Sequence, residues 1–130
     1  MPVASAKQLT VYQEAFELAM KIFELTKKFP DHERYGLVSQ IRRSSRSTCL
    51  NLREAWAKRR YRAHFVSKLT DCDGENSETD TALDFALHCG LISTATHREL
   101  TQKCTAIDKM LGSMINNPKP FLLRTKDPEP

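Results

Sequence analysis

The sequence predicts an all-α protein folded as an antiparallel up-down-up-down four-helix bundle, and three observations lead there. Apolar residues recur at three- and four-residue steps through four separate stretches. Helix breakers are few, and Pro30, Gly36, Gly90 and Pro118 fall between those stretches. No alternating strand pattern, internal repeat or low-complexity tract competes. One bundle domain is expected over residues 9–117, between an N-terminal tail, 1–8, and a Pro-rich C-terminal tail, 118–130.

The first helix, residues 9–29, places Tyr12, Ala15, Phe16, Ala19, Ile22, Phe23, Thr26 and Phe29 on one face, and Pro30 ends it. Asp31 and Glu33 then put negative charge where a new helix favours it, and the second helix is expected to run to about residue 59. Its inner stripe reads Val38, Ile41, Ser45, Thr48, Leu52 and Ala55, with Trp56 alongside. The third, 61–89, carries Phe65, Leu69, Cys72, Asn76, Thr79, Leu83 and Ala86 at 4-3-4-3 spacing, the seam of a packed bundle, and Gly90 stops it. Ser93 is the expected N-cap of the last, whose face is Leu100, Cys104, Ile107, Leu111 and Met114. Short connections make consecutive helices antiparallel neighbours.

At 130 residues the chain is long enough to bury a core unaided. No apolar run approaches the roughly 20 residues of a membrane helix, and the first ten residues lack a secretory signal's apolar stretch, so a cytoplasmic protein without a membrane partner is expected. Cys49, Cys72, Cys89 and Cys104 are widely spaced, never as CxxC, and read as core thiols.

The net charge of +4 conceals a polarised chain. Between residues 42 and 62, Arg42, Arg43, Arg46, Arg53, Lys58, Arg59, Arg60 and Arg62 stand against Glu54 alone, a local +7. Between 71 and 84, Asp71, Asp73, Glu75, Glu78, Asp80 and Asp84 meet no Lys or Arg, a local −6. All the cations but Lys58 are arginines, whose planar fork suits phosphate, and Trp56, Tyr61 and His64 stand near enough to stack on bases. A solvated face, or pairing with the acidic stretch inside the bundle or between subunits, is an equally good account of the cluster. Asp80, Asp84 and His88 recur at i, i+4 and i+8, the one hint of a carboxylate metal site. The Glu-x-x-His repeat of di-metal bundles is missing, so no metal or cofactor is expected. Ser44, Ser45, Ser47 and Thr48 have no His and acid placed to activate them and read as packing residues.

The stretch ERYGLVSQIRRSSRSTCLNLREA, residues 33–55, resembles the second helix of the small bacterial bundle proteins named for 23S ribosomal RNA intervening sequences. LTVYQEAFELAMKIFELTKKFP is similar to that family's first helix. GENSETDTALDFALHCGLIS, residues 74–93, is similar to its third, with Gly74, Ser77, Glu78, Thr81, Leu83, Gly90 and Ser93 on the pattern. The resemblance covers most of residues 9–115. It implies a homopentameric ring of antiparallel bundles. Through the related accessory protein of diversity-generating retroelements, it also implies binding to RNA or DNA and to a reverse transcriptase.

The chain departs from that pattern where Thr48, Cys49 and Leu50 replace an Ile-Pro-Ser run before Asn51, so the second helix should lack a proline kink. Asn76 and Thr79 replace apolar residues, and with Ser45 and Thr48 they form an expected polar layer across the bundle or along an oligomer axis. Val11, Leu18 and Leu25, a row beside the first helix's inner face, are the expected oligomer interface, with a wide core face as the alternative. The sequence therefore points to a non-catalytic, nucleic-acid-associated adaptor protein. An assembly module without nucleic-acid binding is the alternative, and a carboxylate metal bundle the third reading.

Overall fold

In a computed structural model, residues 3–123 are described, and they form four helices with no strand among them. These are α1 (Thr10–Thr26), α2 (Ser39–Ala57), α3 (Arg62–His88) and α4 (Thr94–Asn116). Each helix packs on two neighbours, in the cyclic order α1, α2, α3, α4. Cross-helix pairs fix the directions. Glu17 and Lys21 of α1 meet Lys103 and Glu99 of α4, Arg43 and Glu54 of α2 meet Glu78 and Lys68 of α3, and Asp84 and Asn76 of α3 meet His97 and Cys104 of α4. Numbers rise on one helix as they fall on the next in all three pairs, so each is antiparallel, and α1 is then necessarily antiparallel to α2. The connectivity is up-down-up-down. No helix among the described residues is long and apolar enough to cross a membrane.

The core is Ile22, Ile41, Leu52, Phe65, Leu69, Leu83, Ile107 and Leu111 with smaller residues between them. At about 2–5 kcal/mol for truncating each large buried aliphatic to Ala, this interior dominates stability. Local chemistry sets the ends as the sequence predicts. Ser93 accepts a hydrogen bond from the Thr96 amide at 3.1 Å, and Gly90 takes φ 74°, the left-handed turn that closes α3. The α2 helix runs without interruption past Thr48–Leu50.

The second helix begins later than its periodicity suggests. A 3₁₀ turn (Asp31–Glu33) and a wide π turn (Arg34–Val38) precede it, because Gly36 adopts a non-helical φ −103°, ψ −105°. The expected tails are partly built into the fold. Ser5 and Gln8 form a reciprocal capping box around a 3₁₀ turn that buries Ala6 completely. At the other end, Phe121 sets its ring 6.3 Å from that of Phe65. The rest of the C-terminal tail, 124–130, lies outside the described residues.

The interface row expected on the first helix is corrected. Val11 and Leu18 are buried within the single chain and Leu25 is half-buried against the same core, so the row belongs to the bundle's own interior. The opposite edge of α1 is the exposed one, with Phe16 51% and Met20 47% accessible. The core-thiol reading holds for Cys49, Cys72 and Cys104, while Cys89, just past α3, is exposed. Burial pushes those three buried thiols up to about 11, about 12 and about 12.

Ser45, Thr48, Asn76 and Thr79 are all buried inside the one chain, which removes them from any oligomer axis. Ser44, which sequence reading left out of the layer, is its centre. Its hydroxyl lies 2.8 Å from that of Thr79, Thr48 donates back to the Ser44 carbonyl, and Asn76 donates to the Cys104 carbonyl at 2.9 Å. Ser45 and Thr79 each also donate to a carbonyl one turn back, so the layer has partners within the bundle.

Candidate nucleic-acid interface

With Ile41, Ser45, Thr48 and Leu52 turned inward, helical geometry sends the basic residues of α2 to two flanks. Arg42 lies on the α1 side, half-buried. Its Nε donates to Thr26 Oγ1 at 2.8 Å, one Nη donates to the Phe23 carbonyl at 3.3 Å, and the guanidinium stands 4.7 Å from the Phe23 ring centre. It caps the C-terminal turn of α1, where a cation suits the helix dipole. Arg46 leans on the same ring at 5.6 Å and stays exposed. Arg43 lies on the α3 side and bridges Glu75 at 3.1 Å and Glu78 at 2.7 Å. Its hydrogen bond holds the Glu78 carboxyl below its ordinary range, while burial raises that of Glu75. Arg42 and Arg43 are therefore committed to the bundle.

The remaining cations except Arg46 and Arg53, which lie within α2, gather at the α2–α3 turn. Arg53 and Lys58 are exposed, and Arg60 and Arg62 flank the exposed Tyr61. Arg53 and Arg60 make no ion pair with any described residue. Lys58 acts on Glu54 only at a distance, because the Glu54 carboxylate is held by Lys68 at 2.8 Å, which keeps it below the usual range. Arg59 stacks 4.0 Å from the Trp56 ring and donates to the Trp56 carbonyl. Trp56 is half-buried against the core, so of the three aromatic candidates Tyr61 and His64 remain, in edge contact at 5.5 Å.

The same turn starts α3, whose N-cap, Tyr61, supplies no side-chain hydrogen bond. The first-turn amides of Ala63 and His64 have no intrahelical acceptor by geometry, so the positive end of a 27-residue helix opens into the cluster. Sequence reading missed this, although the absence of Ser, Thr, Asp or Asn before Arg62 was a visible signal. It also missed the C-terminal segment, whose Leu123 amide donates to the Arg59 carbonyl at 3.2 Å and braces the turn.

The acidic stretch is mostly engaged. Lys68 also holds Asp71 at 3.1 Å, and Asp84 meets His97 Nε2 at 2.7 Å. Among the described residues no three His, Cys, Asp or Glu side chains gather closely enough to hold a metal ion. A polar cleft of about 230 Å³ opens between α3 and α4 over Asn76, Asp80, Cys104 and Asp108. Beside it the Asp73 carboxyl faces that of Asp108. A hydrogen bond between them, and then burial, push Asp73 up to about 6, and its Oδ1 is buried without a partner among the described residues.

Comparison with known proteins agrees with this architecture. No functionally curated protein matches the chain. A solved structure from Bacteroides thetaiotaomicron, described as a protein of unknown function from the S23 ribosomal protein family, is similar with a TM-score of 0.76 and 29% identity. The match covers 82% of this chain and 96% of that one. The sequence profile of the 23S rRNA-intervening sequence proteins matches residues 7–113, which spans α1, α2, α3 and nearly all of α4, and the chain belongs to that family.

Proposed function

We propose that this chain is a non-catalytic nucleic-acid-binding protein that works as a homo-oligomer and grips phosphates at the α2–α3 turn. One observation carries the reading. Cations that no side chain of the bundle pairs, Lys58 and Arg60, stand beside an uncapped helix N-terminus with an exposed aromatic, Tyr61, next to them. Phosphate oxygens are bound by this combination of amide donors, helix dipole and Arg forks, and an unpaired base stacks on a free aromatic face. Arg42 and Arg43 leave the list of phosphate ligands, because their guanidinium groups already serve Thr26, Phe23, Glu75 and Glu78.

The test is binding of labelled single-stranded and duplex RNA and DNA across a salt series. Lys58→Gln with Arg60→Gln should weaken binding and flatten the log–log salt slope by about two units, one per lost phosphate contact. An unchanged slope in the double variant overturns the assignment of the turn. The assembly-only reading then gains, and the exposed Phe16 and Met20 of α1 favour it.

A further inference from the structure

The acids of α3 fall into two sets. Asp71, Glu75, Glu78 and Asp84 are paired inside the bundle, with Lys68, Arg43 and His97. Asp73 and Asp80 pair with no cation among the described residues, and neither does Asp108, which α4 brings up beside them. Asp80 and Asp108 line the cleft of about 230 Å³ between α3 and α4, and Asp73 closes on Asp108 beside it. None of the described residues lining the cleft is a Lys, Arg or His.

Helix register sets the spacing of these groups. Asn76 reaches Cys104, Asp84 reaches His97 and Asp73 faces Asp108, so α3 and α4 run level and antiparallel along the cleft. The Asp73–Asp108 pair stands at one end and Asp80 at the other, about 10 Å along α3, with Asn76 between them.

Asn76 makes the cleft more than a gathering of acids. Its side chain is only 3% exposed, and its Nδ2 is taken by the Cys104 carbonyl at 2.9 Å, which fixes the amide. No described residue donates to its Oδ1. Among side chains that are not exposed, Asp73 Oδ1 is the one unpartnered atom sealed from solvent, so Asn76 Oδ1 opens on the cleft that it lines. Buried acceptors of this kind are normally satisfied, and here the donor has to come from a ligand.

We infer that the α3–α4 cleft binds a linear polyamine, with one ammonium between Asp73 and Asp108, another at Asp80, and an N–H group midway donating to Asn76 Oδ1. The lining offers acceptors, and an ammonium is a donor with no acceptor. Two seats of negative charge about 10 Å apart suit two cations joined by a chain. A bare metal ion is not the match, because no three ligating side chains gather among the described residues. The two facing carboxyls that push Asp73 up to about 6 lack a cation between them, and the ligand supplies it.

The test is calorimetric titration of the whole chain with spermidine, without nucleic acid, at pH 7.5 and constant ionic strength. One spermidine per chain should bind saturably. Asp80→Asn and Asp108→Asn, one at each end, should each weaken it about tenfold, the worth of one charge-assisted hydrogen bond. Asp31→Asn, the same charge loss in the turn after α1, should not. Both cleft variants remove a carboxylate that has no cation partner, so helical circular dichroism should be retained. Propylammonium, with a single charge, should bind about tenfold more weakly than spermidine. Affinity should also fall about tenfold from pH 7.5 to pH 5 as Asp73 takes up its proton; Asp80 and Asp108 are the other acids facing the ligand, and His97 is held on Asp84. No saturable binding, an equal loss in Asp31→Asn, affinity unchanged at pH 5, or displacement of spermidine by an equal concentration of Mg²⁺ overturns the proposal.

Discussion

Arg42 offers the sharpest separation of a structural arginine from a phosphate ligand. Replacing it with Met keeps the aliphatic stem and removes two charge-assisted hydrogen bonds, at 2.8 Å to Thr26 and 3.3 Å to the Phe23 carbonyl, together with the contact over the Phe23 ring. Hydrogen bonds to a charged donor contribute about 1.5–3 kcal/mol when shielded, and a half-exposed cation–π contact about 0.5–1 kcal/mol. Arg42 is only half-buried and water recovers part of both, leaving a loss of about 2 kcal/mol. A 130-residue domain unfolds with about 0.27 kcal/mol/K of entropy, so Arg42→Met should lower Tm by about 7 °C in a calorimetric scan. Arg42→Lys should recover little, since a single ammonium cannot serve both acceptors in the fork's geometry. Thr26→Val should be non-additive with Arg42→Met, because both remove the same bond. The salt slope of nucleic-acid binding should not move. A Tm within 1 °C of wild type, or a slope reduced by one unit, refutes the capping role.

Two further predictions concern the interior. Asp73 binds a proton in the folded chain up to about pH 6 and in the unfolded chain only up to its ordinary value of 3.8. Between those limits the folded state holds more protons, so this pair's contribution to stability falls as pH rises through 6. Asp73→Asn should therefore raise Tm at pH 7, by about 4 °C after allowance for partial exposure, and the gain should vanish by pH 4; a gain of equal size at both pH values refutes the upward shift of the Asp73 carboxyl. In the polar layer, Thr79→Val should cost about 1–2 kcal/mol in urea unfolding by taking a partner from Ser44. Adding Ser44→Ala should recover part of that loss, and strictly additive losses contradict the pairing.

The helix ends were legible because their chemistry is local: Pro30, Gly90 and Ser93 act through their own backbone or the next turn. The seam of α3 was legible too, down to its buried Asn76 and Thr79, since a regular spacing leaves one face for the interior. The first helix was harder. Its apolar residues cover more of the circumference than one bundle position can bury, and only the placement of α2 and α4 decides that Val11 and Leu18 go in while Phe16 stays out. The arginines show the same limit. Nothing in the sequence distinguishes Arg42 from Arg60, because what separates them is whether a carbonyl of another helix lies within reach. The Asp73–Asp108 pair depends on the register of α3 against α4, and Ser44 was passed over for Ser45 because two adjacent residues both fit a wide inner stripe.

The bracing of Arg59 by the Leu123 amide places the end of the described chain beside the basic turn, and Val3 shares an apolar groove with Met114 and Phe121 at that same end of the bundle. An attachment made close to Val3 or Leu123 therefore crowds the surface whose binding is to be measured, and anchoring a sensor chip there would hide it. Cys89 lies at the opposite end of α3, about 40 Å away along the helix. It is the one exposed thiol beside three buried ones whose burial disfavours the reactive thiolate. Maleimide chemistry at Cys89 gives a single attachment point from which the basic end faces solvent.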